Sequence, residues 1–273
     1  MIFWSAAALA GPLVDADPYQ PTLDASAFAT IDTAADAPTM VTAQSSWAVA
    51  PIRAVDDTGA LIPVIRHAWG LHVGARHPIG PVRLGGTATV YPVRIGTDEP
   101  TVLTVVGDPT LEAVVSGTLG QVRLGAIGRL GASLGAAEQQ LGHPGGFGDL
   151  GLLAAWEGPV TLATNLGIRL TPTQTLVDVD FDDALWIRVG LALPLHPRWD
   201  VTTEAVGSVP RRGTTPDTAP FEVLLSTRYR LSRDVALHGG LGRGVSPGIG
   251  APAIRLFLGL RFALPRNEHA VGT

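Results

Sequence analysis

From residue 41 to residue 263 the chain repeats one pattern, segments of 8 to 16 residues in which apolar side chains alternate with small or polar ones. Alternation with period two places successive side chains on opposite faces of a β-strand. The pattern predicts strands over 41–53, 61–76, 81–93, 110–118, 122–133, 149–157, 160–171, 182–193, 199–208, 221–231, 235–242 and 253–263. No stretch needs a helical period to describe it. The result is twelve strands, an even number, with no break that would divide them into two domains.

The connections alternate as well. Tight turns such as His77-Pro78-Ile79-Gly80, Gly158-Pro159 and Ser232-Arg233-Asp234 join every second pair of strands. The remaining connections are longer, at 54–60, 94–107, 134–147, 172–180, 209–219 and 243–251, and carry most of the remaining Asp, Pro and Gly. Short turns alternating with long loops are the habit of outer-membrane barrels, with the turns in the periplasm and the loops outside. Twelve strands return the chain to its starting side, which would put both ends in the periplasm.

Side-chain facing adds a physical test. In 160–171, Val160, Leu162, Leu166, Ile168 and Leu170 oppose Asn165, Gly167 and Arg169. In 253–263, Ile254, Leu256, Leu258, Leu260 and Phe262 oppose Arg255, Gly259 and Arg261. The same parity puts Arg66, Arg76, Arg83, Arg123, Arg129, Arg188, Arg228 and Arg230 on the polar face, with Glu112, Asp149, Glu157, Asp200, Glu204 and Glu222. That face would hold eleven Arg against six carboxylates. A charge facing lipid costs roughly 2–4 kcal/mol at the bilayer midplane, whereas a lumen can hydrate or pair it. A soluble barrel would invert the arrangement. Arg in place of Leu258 or Leu166 is therefore expected to cost more than Arg in place of Gly259 or Asn165. Trp156, Trp199, Tyr229 and Phe262 share the apolar parity near the short-turn ends, where an interfacial girdle belongs. Phe221 is the best member of a weaker girdle at the other end.

Composition narrows the class. Charged residues are 16% of the chain, against roughly 25% in soluble domains. No run approaches the roughly 18 apolar residues of a membrane-spanning helix. Cysteine is absent, so the fold holds without disulfides, thiolate metal sites or a lipidated Cys, and all 19 basic residues are Arg. The net charge of -5 argues against a nucleic-acid partner. The expected partners are membrane lipid and lipopolysaccharide, with passage of small solutes and no cofactor.

The organisation expected is an imperfect export signal over 1–16, a periplasmic lead-in over 17–40 with a short strand near Phe28–Ile31, the barrel over 41–263, and a tail over 264–273. The signal has an apolar stretch, Ile2–Ala10, and a small-residue pattern at Ala8-Leu9-Ala10, but no preceding positive charge.

Three runs carry a family likeness: Asp24-Ala25-Ser26-Ala27-Phe28-Ala29-Thr30-Ile31-Asp32, the Gly148-Asp149-Leu150 strand start, and Gly242-Arg243-Gly244 followed by residues 248–260. With these, residues 20–263 resemble the barrel region of the outer-membrane protein A family. The resemblance implies an outer-membrane, porin-like or structural role. The periplasmic peptidoglycan-binding domain common in that family has no counterpart in this sequence.

Other constellations are weaker. The glycines at 240, 242, 244, 248 and 250 join two strands, with no following helix to bind phosphate. Asp178, Asp180, Asp182 and Asp183 are spaced like the start of a calcium loop, but Asp183 stands at the turn-glycine position and Val189 at the closing-glutamate position. His67, His72 and His77 fall on alternating faces. The metal expectation is none. Two alternatives to a channel remain at this stage: a lipid-modifying enzyme on a twelve-stranded barrel, for which Ser226, His238 and Asp200 could be drawn together though no motif fixes them, and a soluble β-rich binding protein.

Overall fold

The computed structural model describes residue 30 and residues 38–55, 61–97, 101–134, 143, 145–176, 179–211, 219–246 and 250–264. The expected export signal lies outside the described residues, as do most of the lead-in and the tail beyond Leu264.

The strands are β1 (Met40–Val55), β2 (Leu61–Ile79), β3 (Val82–Gly96), β4 (Val102–Val106), β5 (Thr110–Leu119), β6 (Val122–Gly131), β7 (Phe147–Glu157) and β8 (Thr161–Leu170). They continue with β9 (Gln174–Leu176), β10 (Val179–Phe181), β11 (Ala184–His196), β12 (Trp199–Pro210), β13 (Phe221–Arg230), β14 (Val235–Gly244) and β15 (Ile254–Ala263). Each of the twelve stretches read as strand from the sequence is a strand here. Three were not foreseen. β9 and β10 form a small separate hairpin in the connection read as loop 172–180. β4 lies within the connection read as loop 94–107.

β4 is not a thirteenth stave. It pairs with the upper part of β3, Val90↔Val106 to Arg94↔Val102, while β5 pairs with the lower part, Val82↔Val115 to Thr87↔Thr110. The two are one wall strand interrupted at Gly107-Asp108-Pro109, where Pro109 has no N–H to give a ladder. The order is then antiparallel throughout, and pairing of β1 with both β2 and β15 and of β2 with β3 closes the ring. The architecture is all-β, a closed antiparallel up-and-down barrel of twelve staves.

The tight turns gather at one end, with Met40 and Ala263, which pair directly. Gly80 and Gly120 supply left-handed φ values of 59 and 62° in two of these turns, a conformation that costs a glycine little.

The outside is apolar around the circumference. Leu111, Leu130 and Leu152 are 68–70% exposed, and Leu124, Leu150, Leu166, Leu185, Leu241, Leu256 and Leu258 are all more than half exposed. Water penalises such a surface and hydrocarbon does not. The inside is mixed. Alongside polar groups it holds three apolar clusters, Ile52/Ile65/Ala68/Tyr91/Val105, Val206/Leu224/Phe257 and Val114/Ile127/Leu153/Trp186.

Candidate functional site

The charged inner wall is built by register. Glu112 on β5, Arg129 on β6, Asp149 on β7 and Arg169 on β8 are successive cross-strand partners. Opposite charges directly opposed on one face attract, and their strands lie only about 4.8 Å apart. Arg129 Nη2 donates to Glu112 Oε2 at 3.0 Å, and its Nη1 lies 3.6 Å from Asp149 Oδ2. Arg169 grips Asp149 with two parallel bonds, Nε to Oδ1 at 2.8 Å and Nη2 to Oδ2 at 2.9 Å. Arg83 joins the other end, 3.7 Å from Glu112 Oε1. The result is a ladder of alternating sign, Arg83–Glu112–Arg129–Asp149–Arg169, across five staves. Its last guanidinium stacks 4.3 Å from the Phe147 ring centre.

A second pair spans a stave. Glu222 on β13 and Arg255 on β15 are linked by Nε to Oε1 at 2.9 Å and Nη2 to Oε2 at 3.2 Å, with both side chains 0% exposed. β14 runs between them, and Gly242 there makes the bridge possible. A Cβ on Gly242 would stand 2.4 Å from Glu222 Oε1.

The remaining predicted charges divide by depth. Arg76, Arg188, Glu204 and Arg261 are buried on the inner face, and Arg188 lies over the Trp186 ring. Arg228 Nε donates to Asp200 Oδ2 at 2.8 Å, and Arg230 Nη2 reaches the same oxygen at 3.3 Å. Arg123 meets Glu157 at 3.4 Å near the short-turn end, where Glu157 is half exposed.

Arg66 is a correction. It sits between Ile65 and His67, where the pairing with β3 slips by one residue, and its side chain is exposed while Ile65 takes the buried place. An extra residue in a strand breaks the alternation on which parity rests. A second slip, between Trp69 and Leu71, lies opposite Tyr91-Pro92. It turns Arg94 inward, 1% exposed, in a residue the sequence placed in a loop. Among the described residues, exchanging Arg66 for Arg94 leaves the predicted set of inward Arg at eleven.

Sequence reasoning also missed Asp108. At the β4/β5 interruption it is 1% exposed, and its carboxylate accepts backbone N–H groups from His143 at 2.6 Å and Leu134 at 3.4 Å. It thereby anchors described parts of the connection between β6 and β7. In that connection, burial beside the Arg169 guanidinium pushes the His143 imidazole down to about 3. The neutral ring can then accept from Arg169 Nη1, 3.2 Å away.

Trp156, Trp199, Tyr229 and Phe262 all face outward near the short-turn end, 38–46% exposed. Trp156 Nε1 donates to Gln121 Oε1 at 3.1 Å, and Trp199 Nε1 donates to the Thr227 hydroxyl. Phe221, the expected far-end aromatic, is only partly exposed. The missed outward pair is Trp47 and Trp69, register partners on β1 and β2 and at least 40% exposed. The parity of Trp47 with Val41 and Ala43, and of Trp69 with Leu71 and Val73, was the available signal.

No catalytic set is assembled from Ser226, His238 and Asp200. Ser226 Oγ donates to the Thr202 carbonyl, His238 Nε2 donates to Gln44 Oε1, and Asp200 is held by arginines. His67, His72 and His77 meet Trp47, Ser46 and Thr39 respectively. Of the acidic run, Asp178 lies outside the described residues, and Asp183 accepts from the Thr171 N–H and pairs with Arg211. Among the described residues no group of three metal-ligating side chains converges.

No family model matches the chain, and no curated protein matches it. Solved structures do. The COG4313 outer-membrane channel from Pseudomonas putida F1 superposes with a TM-score of 0.68 at 12% identity, covering 88% of this chain and 98% of that one. The NanC porin gives 0.59 at 8% identity, over 82% and 100% of the two chains. The KdgM porin in complex with disordered oligogalacturonate gives 0.52 at 6%, over 83% and 99%. At these identities the likeness is one of fold, and the fold is that of outer-membrane channel barrels.

Proposed function

We propose that this chain is a bacterial outer-membrane barrel that passes small solutes through a narrow, arginine-lined interior. The observation that carries the reading is the ion-pair ladder Arg83–Glu112–Arg129–Asp149–Arg169, inside a barrel whose outer face is apolar all round. Such a barrel has lipid as its natural surroundings. Its fold neighbours include channels and porins, one of them holding an oligogalacturonate, so solutes of small-oligosaccharide size fall within the reading. The division into signal (1–16), lead-in (17–40), barrel (41–263) and tail (264–273) belongs to it, as does a relationship to the outer-membrane protein A family through the runs 24–32, 148–150, 242–244 and 248–260.

Charge sets the expected selectivity. Among the described residues, the eleven inward Arg face Glu112, Asp149, Glu157, Asp200, Glu204, Glu222 and the buried Asp108, an excess of four positive charges. Fixed charges between low-dielectric walls act strongly on a passing ion. Planar bilayers carrying the purified protein should therefore show a reversal potential of anion sign under a KCl gradient, growing as salt is lowered and screening weakens. Clear cation selectivity would sink the assignment of the inner wall.

A second reading has its own observation. Arg83, Asn165, Leu224 and Arg255 point inward and are 0% exposed, so the interior around them is packed. A filled barrel of this kind is structural rather than conducting, and complete absence of current would favour it.

Orientation is a separate expectation. With short turns in the periplasm, Val245→Cys at the long-loop end should label with an impermeant thiol reagent on intact cells, and Arg233→Cys at the short-turn end should not. The chain has no other cysteine to confuse the result. The reverse pattern would invert the barrel.

A further inference from the structure

Three arginines outside the inner-wall set gather at the long-loop end of β14, β1 and β2. Below them runs an outward apolar row, Leu241, Leu256, Trp47 and Trp69, each the register partner of the next across β14, β15, β1 and β2, and all at least 40% exposed. Arg243 lies two residues beyond Leu241 on β14 and shares its outward facing. Arg66 lies three residues beyond Trp69 on β2, in the register slip that turns it away from the lumen. Arg53 lies six residues beyond Trp47 on β1.

Among the described residues, none of the three pairs with a carboxylate. Arg53 Nη2 donates to the carbonyls of Ser246 and Ala251, at 3.0 Å each, which orients the side chain without neutralising it. It stands within electrostatic reach of Arg243. The shortage extends to the whole sector, since β1, β2, β14 and β15 contain neither Asp nor Glu. Like charges gathered without a counter-ion repel, and an anion seated among them reverses the sign of the interaction. Just past a row of outward Trp and Leu, hydrocarbon gives way to headgroups. The anions at that level are lipid phosphates, and a guanidinium fork matches phosphate oxygens better than any other side chain does.

We propose that Arg53, Arg66 and Arg243 form a seat for the phosphorylated headgroup of an outer-leaflet lipopolysaccharide, with Trp47 and Trp69 packed beside the start of its acyl chains. The proposal rests on the outer-membrane reading above, with the long loops outside. It gives the barrel one preferred lipid, held at the β14/β15/β1/β2 sector, in place of a uniform annulus.

The test titrates the full-length protein in detergent micelles with purified lipopolysaccharide, and follows the rise in urea midpoint that a ligand of the folded state produces. Arg66→Gln/Arg243→Gln removes two charges from exposed side chains and leaves the Arg53 hydrogen bonds in place, so heat-modifiable migration should match that of the unaltered protein. This variant should bind at least about tenfold more weakly, equivalent to about 1.4 kcal/mol. Arg198→Gln/Arg233→Gln, at two exposed positions of the short-turn end, should bind like the unaltered protein. Dephosphorylated lipopolysaccharide should bind the unaltered protein as weakly as the intact lipid binds the Arg66/Arg243 variant. Equal affinity of the unaltered protein and the Arg66/Arg243 variant would overturn the seat and leave the outer-membrane reading standing. Inorganic phosphate or phosphatidylglycerol binding as tightly would overturn lipopolysaccharide as the occupant. Loss of binding in the Arg198/Arg233 variant alone would overturn the seat together with the orientation. Failure of the unaltered protein to insert into liposomes would sink the outer-membrane reading itself, and the seat with it.

Discussion

Replacing Glu222 by Gln should destabilise the folded barrel by about 3–5 kcal/mol, because it leaves the Arg255 guanidinium buried without its counter-ion. Both side chains are 0% exposed, and their two parallel hydrogen bonds cross over β14 at Gly242. A pair so enclosed has already lost its water, and its stabilisation depends on the partner. The double variant Glu222→Gln/Arg255→Met should therefore recover most of the loss, since removing both charges removes the need to solvate either. The contrast is with Arg123–Glu157, where Glu157 is about half exposed. Glu157→Gln should change stability by no more than about 1 kcal/mol, as exposed pairs do. Urea unfolding of the refolded barrel, followed by the shift between heated and unheated bands, measures all three. Equal losses in the single and double Glu222 variants would mean that packing, not charge, holds this corner.

Which of these features could be read from the sequence depends on how local their cause is. Strand position and facing follow from alternation within ten residues, and the twelve staves lie where Val, Leu and Ala alternate with Gly, Thr and Arg. Ladder chemistry was legible in part. Arg129, Asp149 and Arg169 were placed on the polar face one by one, but their mutual pairing depends on the stagger between staves, which no single strand encodes. Parity also fails wherever a strand gains a residue. Arg66 was misplaced for that reason, beside a slip in the β2–β3 register, whereas Arg94 was missed because its position was read as the start of a loop. Proline marks one slip, at Pro92, and a positive φ at Ala50 marks the irregularity in β1. A proline visible in advance stands at each, since Pro51 lies within the β1 irregularity.

Features that need three staves at once were not legible. The apolar cluster Val114/Ile127/Leu153/Trp186 lies on the same inward face as the ladder, and alternation had assigned that face to polar groups alone. Trp186 can lie flat there because Gly151 and Gly167 on the neighbouring staves have no side chains to obstruct it. Asp108 was hidden for another reason. It falls in an interruption read as loop, where an acidic residue ordinarily faces water, and its burial depends on the N–H groups of a connection some thirty residues away.

The outward face yields the other large effect. Leu258→Arg should destabilise the inserted barrel by about 2–4 kcal/mol, and Leu166→Arg by a similar amount, because each sets a guanidinium against hydrocarbon near mid-stave. Leu258 is 58% exposed at the centre of β15 and Leu166 is 53% exposed on β8. The inner-face controls suggested by parity do not serve. A Cβ at Gly259 would stand 2.4 Å from the His238 ring, and Asn165 is 0% exposed, so Arg at either fails for lack of space. Val245 is the proper control. It is 65% exposed and lies just beyond β14 at the long-loop end, where charge costs about 0–1 kcal/mol. In water, Leu258 and Val245 would be equivalent surface positions, and Arg at either would be nearly silent. Folding yield and urea midpoints in liposomes should thus separate Leu258→Arg from Val245→Arg by at least about 2 kcal/mol. Indifference to both substitutions would mean that this apolar belt does not face a bilayer.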